Sequence, residues 1–509
     1  MKVLRIIFSK WSISALIFLV QVAAIVVLAL LAAEYFVWFQ VVATVVGILV
    51  FFAIINRQQN TDYKIPWLFL VLALPLFGTL FYLMFGQNRM RKKDYRFLVA
   101  AQSRIEPLIQ EKEGQAEQVD AYLGGQRGIE HYLKSTSGAY GFLGNDVKYY
   151  PVGELMWKDM LEALKGAKKF ILMEYFIVDP GIMWDAIHQI LVQKAKEGVK
   201  VHFMYDDVGT VTMLPSSYYK QLRKEGIDAH KFNPFRPIAS NIYNNRDHRK
   251  ITVVDGEVAF TGGINLGDEY INENHRLGHW KDTGLRIIGP AIASLMAHFF
   301  FNFGLASKEE LDYAQYFPES FPKPLEEGGY INFFGDGPTP YYPDEVGEGN
   351  YINMINAAKE TFYITTPYLI IDYRFTTALR DAAMRGVDVR IVTPHIPDKK
   401  AVFAMTRSSY AYLRKAGVKI YEYTPGFIHA KMAVTDGKLA FVGTINMDFR
   451  SLTHHYECGA VIAGCECVKD INEDFRNIFE ASQFIDDSFK LSFGARLINA
   501  ILAVFRALF

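Results

Sequence analysis

The chain of 509 residues carries 54 Lys and Arg residues and 54 Asp and Glu residues, so its formal net charge is zero, which argues against a generally basic nucleic-acid-binding surface. Hydrophobic residues make up 51% of the chain and charged residues 21%, a balance that excludes a disordered protein. The three cysteines, Cys458, Cys465 and Cys467, are too few for a disulfide-stapled secreted fold or a four-cysteine zinc site. The length allows about three domains.

Three apolar segments near the beginning of the chain predict a transmembrane anchor that occupies residues 1–88. They cover about 11–33, 35–55 and 65–86, and each is long enough because about 20 helical residues cross a hydrocarbon core of roughly 30 Å. A signal peptide followed by buried helices is the alternative, but the first segment exceeds the usual length of a signal-peptide core. We expect at least two spans, and hence a multi-pass protein of the cell membrane.

The number of spans and their orientation stay open at this stage. Glu34 alone separates the first two segments, so these could form a tight hairpin, and the spans number two or three. With three spans, equal numbers of flanking Lys and Arg residues fall on the two sides of the membrane, so the positive-inside rule does not decide. The basic cluster at 89–96 slightly favours a cytoplasmic domain and lies where anionic headgroups would be.

The chain beyond the anchor has a strand–helix pattern. Residues 89–147 are mixed and polar, and we expect them to form a connecting region. From about residue 148, strand-forming segments at 169–178 and 198–205 alternate with a segment of helical spacing at 184–196. This alternation predicts an α/β fold in which helices cover a parallel or mixed sheet.

The same pattern occurs a second time, which indicates two homologous halves in tandem. We place the first half at 148–345 and the second at 346–485, with a looser insert around 300–345. The recurring segments are 198–204 with 386–392, and 222–227 with 413–418.

The C-terminal segment, residues 486–509, is apolar but interrupted by charges. Lys490, Arg496 and Arg506 lie among Leu, Ile, Val and Phe residues, which is too many charges for a clear membrane span. We expect an amphipathic helix that lies on the membrane interface. A terminal helix packed into the core is the alternative.

Each predicted half contains the pattern His-x-Lys-x4-Asp, with Gly-x-x-Asn beginning seven residues after the Asp. The residues are His248, Lys250, Asp255 and Asn265 in the first copy (within 243–270), and His429, Lys431, Asp436 and Asn446 in the second (within 424–451). Because side chains alternate along a strand, the His and Lys of each copy project from one face. Two halves related by a pseudo-twofold axis would bring two His, two Lys and two Asn around one tetrahedral oxyanion. Two complete copies in matching context do not fit a merely solvated strand.

These side chains suit exchange at a phosphodiester. One neutral imidazole can attack phosphorus and form a phosphohistidine, and the other, protonated, can supply a proton to the departing alkoxide. Lys and Asn would stabilise the equatorial oxygens, an effect worth roughly 3–4 kcal/mol for one well-placed donor. Since the two ammonium groups supply positive charge, we expect no metal ion and no cofactor. We expect the two Asp residues to support the turn of each motif rather than touch phosphate.

Each histidine should need a carboxylate that orients its ring. Asp282 follows His248 by 34 residues, and Glu457 follows His429 by 28 residues, so sequence order links each acid to the histidine of its own half. We expect these two residues to orient the histidines. The alternative for each is a surface carboxylate without a role in the site.

These motifs resemble those of the phospholipase D superfamily over about 148–485. Gly263 departs from the pattern, because the superfamily often has Ser there, but this residue is not expected to do chemistry. The apolar N-terminal segments, with Met-Glu-Tyr-Phe-Ile at 173–177 and Thr-Pro-Tyr at 366–368, are similar to the bacterial cardiolipin synthase family within that superfamily. The resemblance implies a tandem pseudo-twofold α/β sandwich, with two mixed β-sheets flanked by helices, preceded by transmembrane helices.

The resemblance also implies a reaction in which two phosphatidylglycerol molecules give cardiolipin and free glycerol. The implied partners are phosphatidylglycerol and membrane lipids, with no nucleic acid. By analogy, His248 attacks the first lipid, His429 protonates the leaving glycerol, and the second lipid resolves the phosphatidyl-histidine. Which histidine is the nucleophile stays open, as do the use of other lipid donors and the oligomeric state. The implied active-site set is His248, Lys250, Asp255, His429, Lys431 and Asp436.

Other functions share parts of this pattern. A phospholipase D hydrolase or a phosphatidylserine synthase would use the same chemistry with a different acceptor. A nuclease fits less well because the net charge is zero and apolar spans are present. A membrane scaffold with an inactive site would not need two intact His–Lys pairs.

Overall fold

The computed structural model describes residues 10–31, 36–86, 89–109, 122–123, 127–235, 244–318, 321–322, 325, 328–504 and 506. These residues form two compact units, one of residues 1–89 with 234–244 and the other of residues 90–233 with 245–509. Glu34, which separates the first two expected spans, lies outside the described residues, as do residues 507–509 of the C-terminal segment.

The first unit is built from apolar helices. They are α1 (Lys10–Leu31), α2 (Phe36–Ile55), α3 (Thr61–Ala73) and α4 (Pro75–Phe85). Within the described residues, Val37–Ile55 is the one helical segment long and apolar enough to cross a membrane, and the apolar segments Phe18–Leu28 and Pro75–Phe85 are shorter. One of the three expected spans therefore meets the length and composition that a span requires.

The expected span at 65–86 is not a single helix, because the chain breaks at Leu74 between α3 and α4. Pro75 has no backbone N–H to continue the hydrogen-bond ladder of α3, so a new helix begins there. Gly78 then packs so closely on α3 that an added Cβ would lie 2.1 Å from the carbonyl oxygen of Leu70. The segment expected to span the membrane at 65–86 therefore consists of two shorter helices, and proline is the physical reason.

The second unit contains all seventeen strands of the described chain, fifteen of them in one sheet. The strands are β1 (Gly141–Tyr150), β2 (Phe170–Tyr175), β3 (Lys200–Asp206), β4 (Asp228–Phe232), β5 (Lys250–Val254), β6 (Val258–Gly262), β7 (His279–Lys281), β8 (Gly284–Ile288), β9 (Gly329–Asp336), β10 (Thr361–Thr365), β11 (Asp388–Pro394), β12 (Lys419–Tyr423), β13 (Gly426–Ile428), β14 (Met432–Thr435), β15 (Leu439–Gly443), β16 (Glu457–Ala463) and β17 (Ser482–Phe484). The order across the sheet is β17-β12-β11-β10-β14-β15-β16-β9-β1-β8-β6-β5-β2-β3-β4.

The strand order contains the internal duplication. Outward from the centre, β1-β8-β6-β5-β2-β3-β4 on one side matches β9-β16-β15-β14-β10-β11-β12 on the other. In both halves the outer strands pair in parallel and the inner strands pair antiparallel, so the sheet is mixed as the sequence predicted. The tandem repeat read from the sequence therefore corresponds to a pseudo-twofold arrangement of strands.

Two details differ from the sequence-based expectation. The two half-sheets are joined edge to edge into one sheet, because the ten-residue strand β1 is long enough to pair with β9 near its beginning and with β8 near its end. The second half also begins earlier than residue 346, since β9 (Gly329–Asp336) takes the place that β1 takes in the first half. The region around 300–345 is thus partly a core strand of the second half.

Helices cover this sheet. They are α5 (Lys92–Ile105), α6 (Arg127–Ser137), α7 (Gly153–Gly166), α8 (Ile182–Lys196), α9 (Tyr218–Lys224), α10 (Ile292–Ser307), α11 (Val346–Ala357), α12 (Tyr373–Met384), α13 (Lys400–Arg414), α14 (Phe449–Thr453), α15 (Glu466–Glu480) and α16 (Phe493–Val504). The region 89–147 is more than a connector, because Leu98, Ile105 and Leu133 are fully buried in the main core. Helix α10 is apolar all round and buried, as expected of a core helix.

Both copies of the His-x-Lys motif lie at equivalent points of the sheet. Lys250 begins β5 and Lys431 immediately precedes β14, and each of these strands is paired antiparallel on both sides. The two-stranded sheet of β7 and β13 lies apart from the large one and pairs the halves in parallel, with Trp280 opposite Phe427. The motifs are therefore held by central, fully paired strands, which is the rigid setting that a catalytic site needs.

Candidate active site

The backbone amide of each motif histidine donates a hydrogen bond to the opposite half of the chain. The amide of His248 donates to the carbonyl of Tyr456 (2.9 Å), and the amide of His429 donates to the carbonyl of Lys281 (2.7 Å). Tyr456 and Lys281 are the residues immediately before Glu457 and Asp282. The two contacts are equivalent under the pseudo-twofold relation, so each histidine is placed beside the acid of the other half.

The side chains follow this crossed arrangement. The Nδ1 atom of His248 lies 2.9 Å from both carboxylate oxygens of Glu457, and Nδ1 of His429 lies 2.6 Å from Oδ2 of Asp282. Sequence order had linked each acid to the histidine of its own half, and that pairing is wrong. Sequence separation does not reveal it, because the backbone contacts that cross between the halves decide which acid meets which ring. With Nδ1 directed to a carboxylate, Nε2 is the ring atom left for chemistry.

The acids differ in their surroundings. Glu457 accepts hydrogen bonds from the hydroxyls of Thr444 and Ser451, the latter at 2.5 Å. Burial by itself would raise the pKa of the Glu457 carboxyl, but His248 and the neighbouring hydrogen-bond donors hold that pKa well below its usual range. This acid is therefore ionised and held in one orientation.

Asp282 is held by fewer side chains. Its Oδ1 accepts from the backbone N–H of Thr283 (2.8 Å), and Gly263 lies so close that an added Cβ would come within 2.1 Å of the same oxygen. Burial would raise the pKa of the Asp282 carboxyl, but His429 and Lys431 lower it below its ordinary value. Gly263, at the position where Ser was expected from the resemblance, has a structural reason, because a side chain there would displace the acid.

Both motif lysines are fully buried beside their histidines. Lys250 Nζ donates to the carbonyl of His248 (2.5 Å), and Lys431 Nζ donates to the carbonyl of His429 and lies 2.8 Å from its Nδ1. Burial lowers the pKa of Lys250 to about 8, and burial with the nearby charge of Lys250 lowers that of Lys431 to about 7. At pH 7 Lys250 is therefore mostly charged and Lys431 is about half charged, and a nearby anion would favour the charged form of both.

Burial also acts on the two imidazoles. It lowers the pKa of His248 to about 3, against the opposing effect of Glu457. It lowers the pKa of His429 to about 4, and the charge of Lys431 acts in the same direction. Both rings are therefore neutral at pH 7, and a neutral imidazole is the form that can act as a nucleophile.

The motif aspartates face backbone rather than the site. Asp255 accepts hydrogen bonds from the amides of residues 168–170, and Asp436 accepts from those of residues 359–361, at the beginning of β2 and β10. Both residues have positive φ, 57° for Asp255 and 51° for Asp436, at the turns that follow β5 and β14. These contacts agree with the expectation that the aspartates support the turn.

The two asparagines are not equivalent. Asn265 accepts a hydrogen bond from the amide of Ile177 (3.0 Å) and donates to the hydroxyl of Tyr270 (2.8 Å), so much of its amide is used within the fold. Asn446 is buried, and its Oδ1 has no hydrogen-bond partner among the residues that the structure describes. Both side chains border the same cavity as the histidines.

One cavity of about 510 Å³ contains both motif histidines in its lining. It therefore brings together the two clusters that the sequence predicted to share a site. It also includes residues that motif reasoning missed, Arg246, Lys399, Arg450 and His455. Arg246 could have been found by strand alternation, because it lies two residues before His248, whereas Lys399 and Arg450 carry no such signal.

A metal ion is not required to explain the donors in this cavity. His248, His455 and Glu457 bring three ligand atoms within 4.8 Å of one another, which is the spacing of a metal site. The charge of Lys250, however, acts on the same imidazole, and the oxygens of Glu457 already accept from hydroxyls and His248. These contacts suit a histidine that is oriented by its acid.

The sequence matches known families over most of its length. A model described as "Cardiolipin synthase, PLD-like domain" matches residues 160–297 and 351–479, and one described as "Phospholipase_D-nuclease N-terminal" matches residues 45–87. A cardiolipin synthase of Alkalihalophilus pseudofirmus is 34% identical over 445 residues, which is 87% of this chain and 87% of the relative. An uncharacterized protein of Streptococcus mutans is 39% identical over 435 residues, covering 86% of this chain and 94% of its own length.

A solved structure shares the fold. The crystal structure of a phosphatidylserine synthase from Haemophilus influenzae aligns with a TM-score of 0.57 and 14% sequence identity. The alignment covers 75% of this chain and 97% of that one. At this level of identity the match concerns the arrangement of the sheet and helices alone, and it agrees with the duplicated α/β architecture described above.

Proposed function

Since this chain belongs to the family of phospholipase D-like cardiolipin synthases and is a phosphatidyltransferase, we propose that it transfers a phosphatidyl group from one phosphatidylglycerol to another, giving cardiolipin and glycerol. The observation that carries the proposal is that both motif histidines border one cavity, each with its Nδ1 beside a buried carboxylate and with a buried lysine two residues further along the chain. A single phosphorus can therefore meet a nucleophile on one side and a proton donor on the other. We propose a chemistry that needs neither a metal ion nor a cofactor.

The first step forms a phosphatidyl-histidine. Nε2 of His248 attacks the phosphorus of the donor lipid as the bond from phosphorus to the glycerol oxygen breaks, and His429 gives that oxygen its proton. Glu457 keeps the proton of His248 on Nδ1, which leaves Nε2 unprotonated. We assign the nucleophile to His248 because its acid is fixed by two hydroxyls as well as by the ring.

The second step returns both histidines to their starting state. The terminal hydroxyl of a second phosphatidylglycerol loses its proton to His429 while its oxygen attacks phosphorus, and the bond between phosphorus and His248 breaks. One phosphodiester replaces another, so no nucleotide is consumed. Water is the competing acceptor, and the buried, partly aromatic walls of the cavity, which include Trp280 and Phe427, limit its access.

Charge on the bound lipid completes the site. Burial and Lys431 lower the pKa of His429 to about 4, so the ring of the free protein is neutral at pH 7. A phosphodiester anion bound nearby raises that pKa and favours the protonated form that the first step uses. The same anion favours the charged forms of Lys250 and Lys431, which then stabilise the oxygens of the transition state. Asn446 supplies a further amide group at the cavity. Asn265 mainly holds the backbone at Ile177, whose amide donates to its side-chain oxygen.

We propose that the reaction takes place at the cell membrane, with the N-terminal helices as a multi-pass anchor. Helix α2 has the length and composition of a span, and the N-terminal family model covers residues 45–87. An anchored enzyme meets its lipid substrates at high effective concentration, which favours a lipid acceptor over water.

The C-terminal helix α16 supports a second contact with the membrane. It packs on α13, but its apolar side chains face outward and a polar one is buried. Phe493, Leu497 and Ile498 are 85%, 57% and 57% exposed, while Asn499 is 6% exposed. Neither polar atom of the Asn499 side chain has a hydrogen-bond partner among the described residues. We propose that this apolar face lies in the interface of an anionic bilayer, where Arg496 would meet headgroup phosphates.

The reaction is tested with purified full-length protein and phosphatidylglycerol labelled in the acyl chain and in the headgroup. We expect equal amounts of cardiolipin and free glycerol, and no product from His248→Ala. His188→Gln, which changes a partly buried histidine that is paired with Glu225 and does not border the cavity, should keep full activity. Phosphatidic acid as the main product would favour a hydrolase, and product made only with serine would favour phosphatidylserine synthesis. Unchanged synthesis by the His248→Ala protein would show that this site does not make the product, and would favour the membrane scaffold with an inactive site.

Trapping the intermediate tests the assignment of roles. Acid-labile label on the peptide that contains His248 is the expected result after a short reaction, and label on the peptide with His429 would reverse the two roles.

The membrane contact of α16 is tested with Leu497→Glu, using Ser488→Glu as an equal change of charge outside the helix. We expect Leu497→Glu to raise the phosphatidylglycerol mole fraction needed for half-maximal rate by about threefold to tenfold, with little change in kcat. An unchanged dependence on mole fraction would remove the interface contact from the proposal.

A further inference from the structure

A cardiolipin synthase has to hold two phosphodiesters at once. The donor phosphate reacts between the two histidines, and the acceptor brings a phosphate of its own, one glycerol away from the attacking hydroxyl. Water, glycerol and other alcohols lack that second anion. If the proposed function holds, a second cationic subsite beside the histidines would distinguish the lipid acceptor from these competitors.

Arg246 offers one buried cation with spare hydrogen-bonding capacity. Its side chain is 2% exposed and borders the cavity, and it lies two residues before His248 in the chain. The Nε atom lies 3.2 Å from Oδ2 of Asp206, and Nη2 donates to the carbonyl of Asn233 (2.6 Å). The buried Nη1 has no hydrogen-bond partner in the described part of the chain. A guanidinium held at two points, with its third nitrogen unused, is ready to bind an oxyanion.

Arg450 brings a second cation to the same wall of the cavity. It forms no ion pair with any carboxylate of the described residues, although Asp448 lies near enough to influence it. Arg450 is exposed and Arg246 is buried, and both border the cavity. The amides of the consecutive residues His455 and Tyr456 donate to the carbonyls of Arg450 and Arg246, so the backbones of the two arginines are close together. Two neighbouring cations repel one another unless an anion lies between them, which is the electrostatic setting of a phosphate site.

His455 connects this pair of arginines to the reacting histidine. Its ring centre lies 5.5 Å from that of His248, and its Nδ1 has no hydrogen-bond partner among the described residues, the nearest carboxylate oxygen being 3.6 Å away on Glu457. The backbone holds the three together, because His455 N donates to the Arg450 carbonyl (3.1 Å) and Tyr456 N donates to the Arg246 carbonyl (2.8 Å).

The carboxylates around this group pair with only part of it. Asp206 lies 3.2 Å from Nε of Arg246 and also accepts from the amides of Val208, Gly209 and Asp247. Asp448 accepts from the amide of Ser451 and forms no ion pair with Arg450 among the described residues. Of the other cations that border the cavity, Lys399 lies 3.7 Å from Asp398 and Arg276 lies 3.6 Å from Glu269. Arg246 and Arg450 are thus the cations whose donors remain available for a ligand.

From this cluster we infer that Arg246, Arg450 and His455 form a subsite for the phosphodiester of the acceptor lipid. The subsite lies beside His248, with the ring centres of His455 and His248 5.5 Å apart. A phosphate bound there would present the glycerol hydroxyl of the same lipid to the phosphatidyl-histidine. The inference rests on the proposed function and adds to it the group that selects the second substrate. It predicts that the enzyme prefers a glycerolipid with a phosphate over one without.

The test is a competition within one reaction. Full-length protein receives phosphatidylglycerol and a neutral monoacylglycerol, which offers the same glycerol hydroxyls without a phosphate, and the ratio of cardiolipin to phosphatidyl-monoacylglycerol is measured. Both acceptors compete for the same phosphatidyl-enzyme, so effects on the first step cancel. We expect wild type to favour cardiolipin and Arg450→Gln to lower the ratio by about tenfold, as removal of one charged hydrogen bond implies.

Two variants control for general damage. Arg276→Gln removes a cation that borders the same cavity but pairs with Glu269 (3.6 Å), and it should leave the ratio unchanged. Arg450→Lys keeps the charge and should restore most of the preference. Arg246 is unsuitable because it is bound to Asp206 in the core. An unchanged ratio in Arg450→Gln would overturn the subsite, while the absence of cardiolipin from wild type would overturn the proposed function instead.

Discussion

The two histidine–acid pairs share a backbone template but differ in the groups around them. His248 meets a glutamate held by two hydroxyls, with His455 beside it, whereas His429 meets a shorter aspartate packed against Gly263. Thr444 occupies in the second half the position that Gly263 has in the first. Glu457, the longer acid, thus accepts a hydrogen bond from the Thr444 side chain, whereas Asp282, the shorter acid, packs against a glycine that has no side chain. Duplication kept the distance from acid to ring while the means of holding the acid diverged.

The rings also have different walls. Trp280, Tyr270 and Phe427 lie within 5.4 to 6.0 Å of His429, measured between ring centres. His248 has the aromatic neighbour Phe176 at 4.9 Å, and it also contacts the polar ring of His455 at 5.5 Å. The difference fits a division of labour in which the aromatic side excludes water around the proton donor, and the polar side receives the charged acceptor.

The largest expected effect tests the crossed pairing itself. Glu457→Gln should lower kcat by at least about a hundredfold and abolish trapped phosphohistidine, because the tautomer of His248 is no longer fixed. Asp282→Asn should lower kcat by a similar factor through His429. The decisive measurement is the phosphatidyl-enzyme trapped after a short reaction: Glu457→Gln should form none, whereas Asp282→Asn should still form it slowly, because its acid orients the proton donor. Normal label on the His248 peptide of Glu457→Gln would show that this acid acts elsewhere.

A smaller effect tests the residue that packs beside each acid, which is Gly263 beside Asp282 and Thr444 beside Glu457. Gly263→Ala should displace Asp282 and lower kcat by about tenfold, because the new Cβ would come within 2.1 Å of Oδ1. Thr444→Ala should cost less, about 1 kcal/mol of stabilisation of Glu457, since Ser451 still donates to that acid. Rates of both variants at saturating lipid would check this order. A harmless Gly263→Ala would mean that Asp282 can shift without moving His429.

The smallest effect concerns pH. Lys431 has its pKa lowered to about 7 and Lys250 to about 8, so the charged forms are lost as pH rises through these values, and with them the stabilisation of the transition state. We therefore expect kcat/KM to decline on the alkaline side, beginning near pH 7. Lys431→Arg, which stays charged, should move this decline upward by about one unit in a pH–rate profile. A profile that does not respond would assign the alkaline limb to another group.

Much of this site could be predicted from the sequence, because strand alternation and the repeat act locally. The spacing of His248 and Lys250, repeated at His429 and Lys431, was enough to expect two clusters at one cavity. The acids themselves were also identified, but not their partners, since the register of β7 with β13 and the contact of His248 with Tyr456 are long-range. Such contacts have no periodic signal along the chain.

The fold shows the same division between local and long-range information. The strand–helix alternation and the duplication were read correctly, whereas the joining of two half-sheets through β1 and the start of the second half at β9 were missed. Pro75 divides the third apolar segment into two helices, which length and composition alone do not reveal. Arg450 carried no pattern at all, because its role depends on the cavity that the two halves form together.

The crossed hydrogen bonds have a consequence for synthesis on the ribosome. His248 emerges early, but its acid is 209 residues further along the chain, and the partner of His429 lies 147 residues before it. A growing polypeptide therefore carries an unpaired imidazole until Glu457 has left the exit tunnel and the second half has docked on the first.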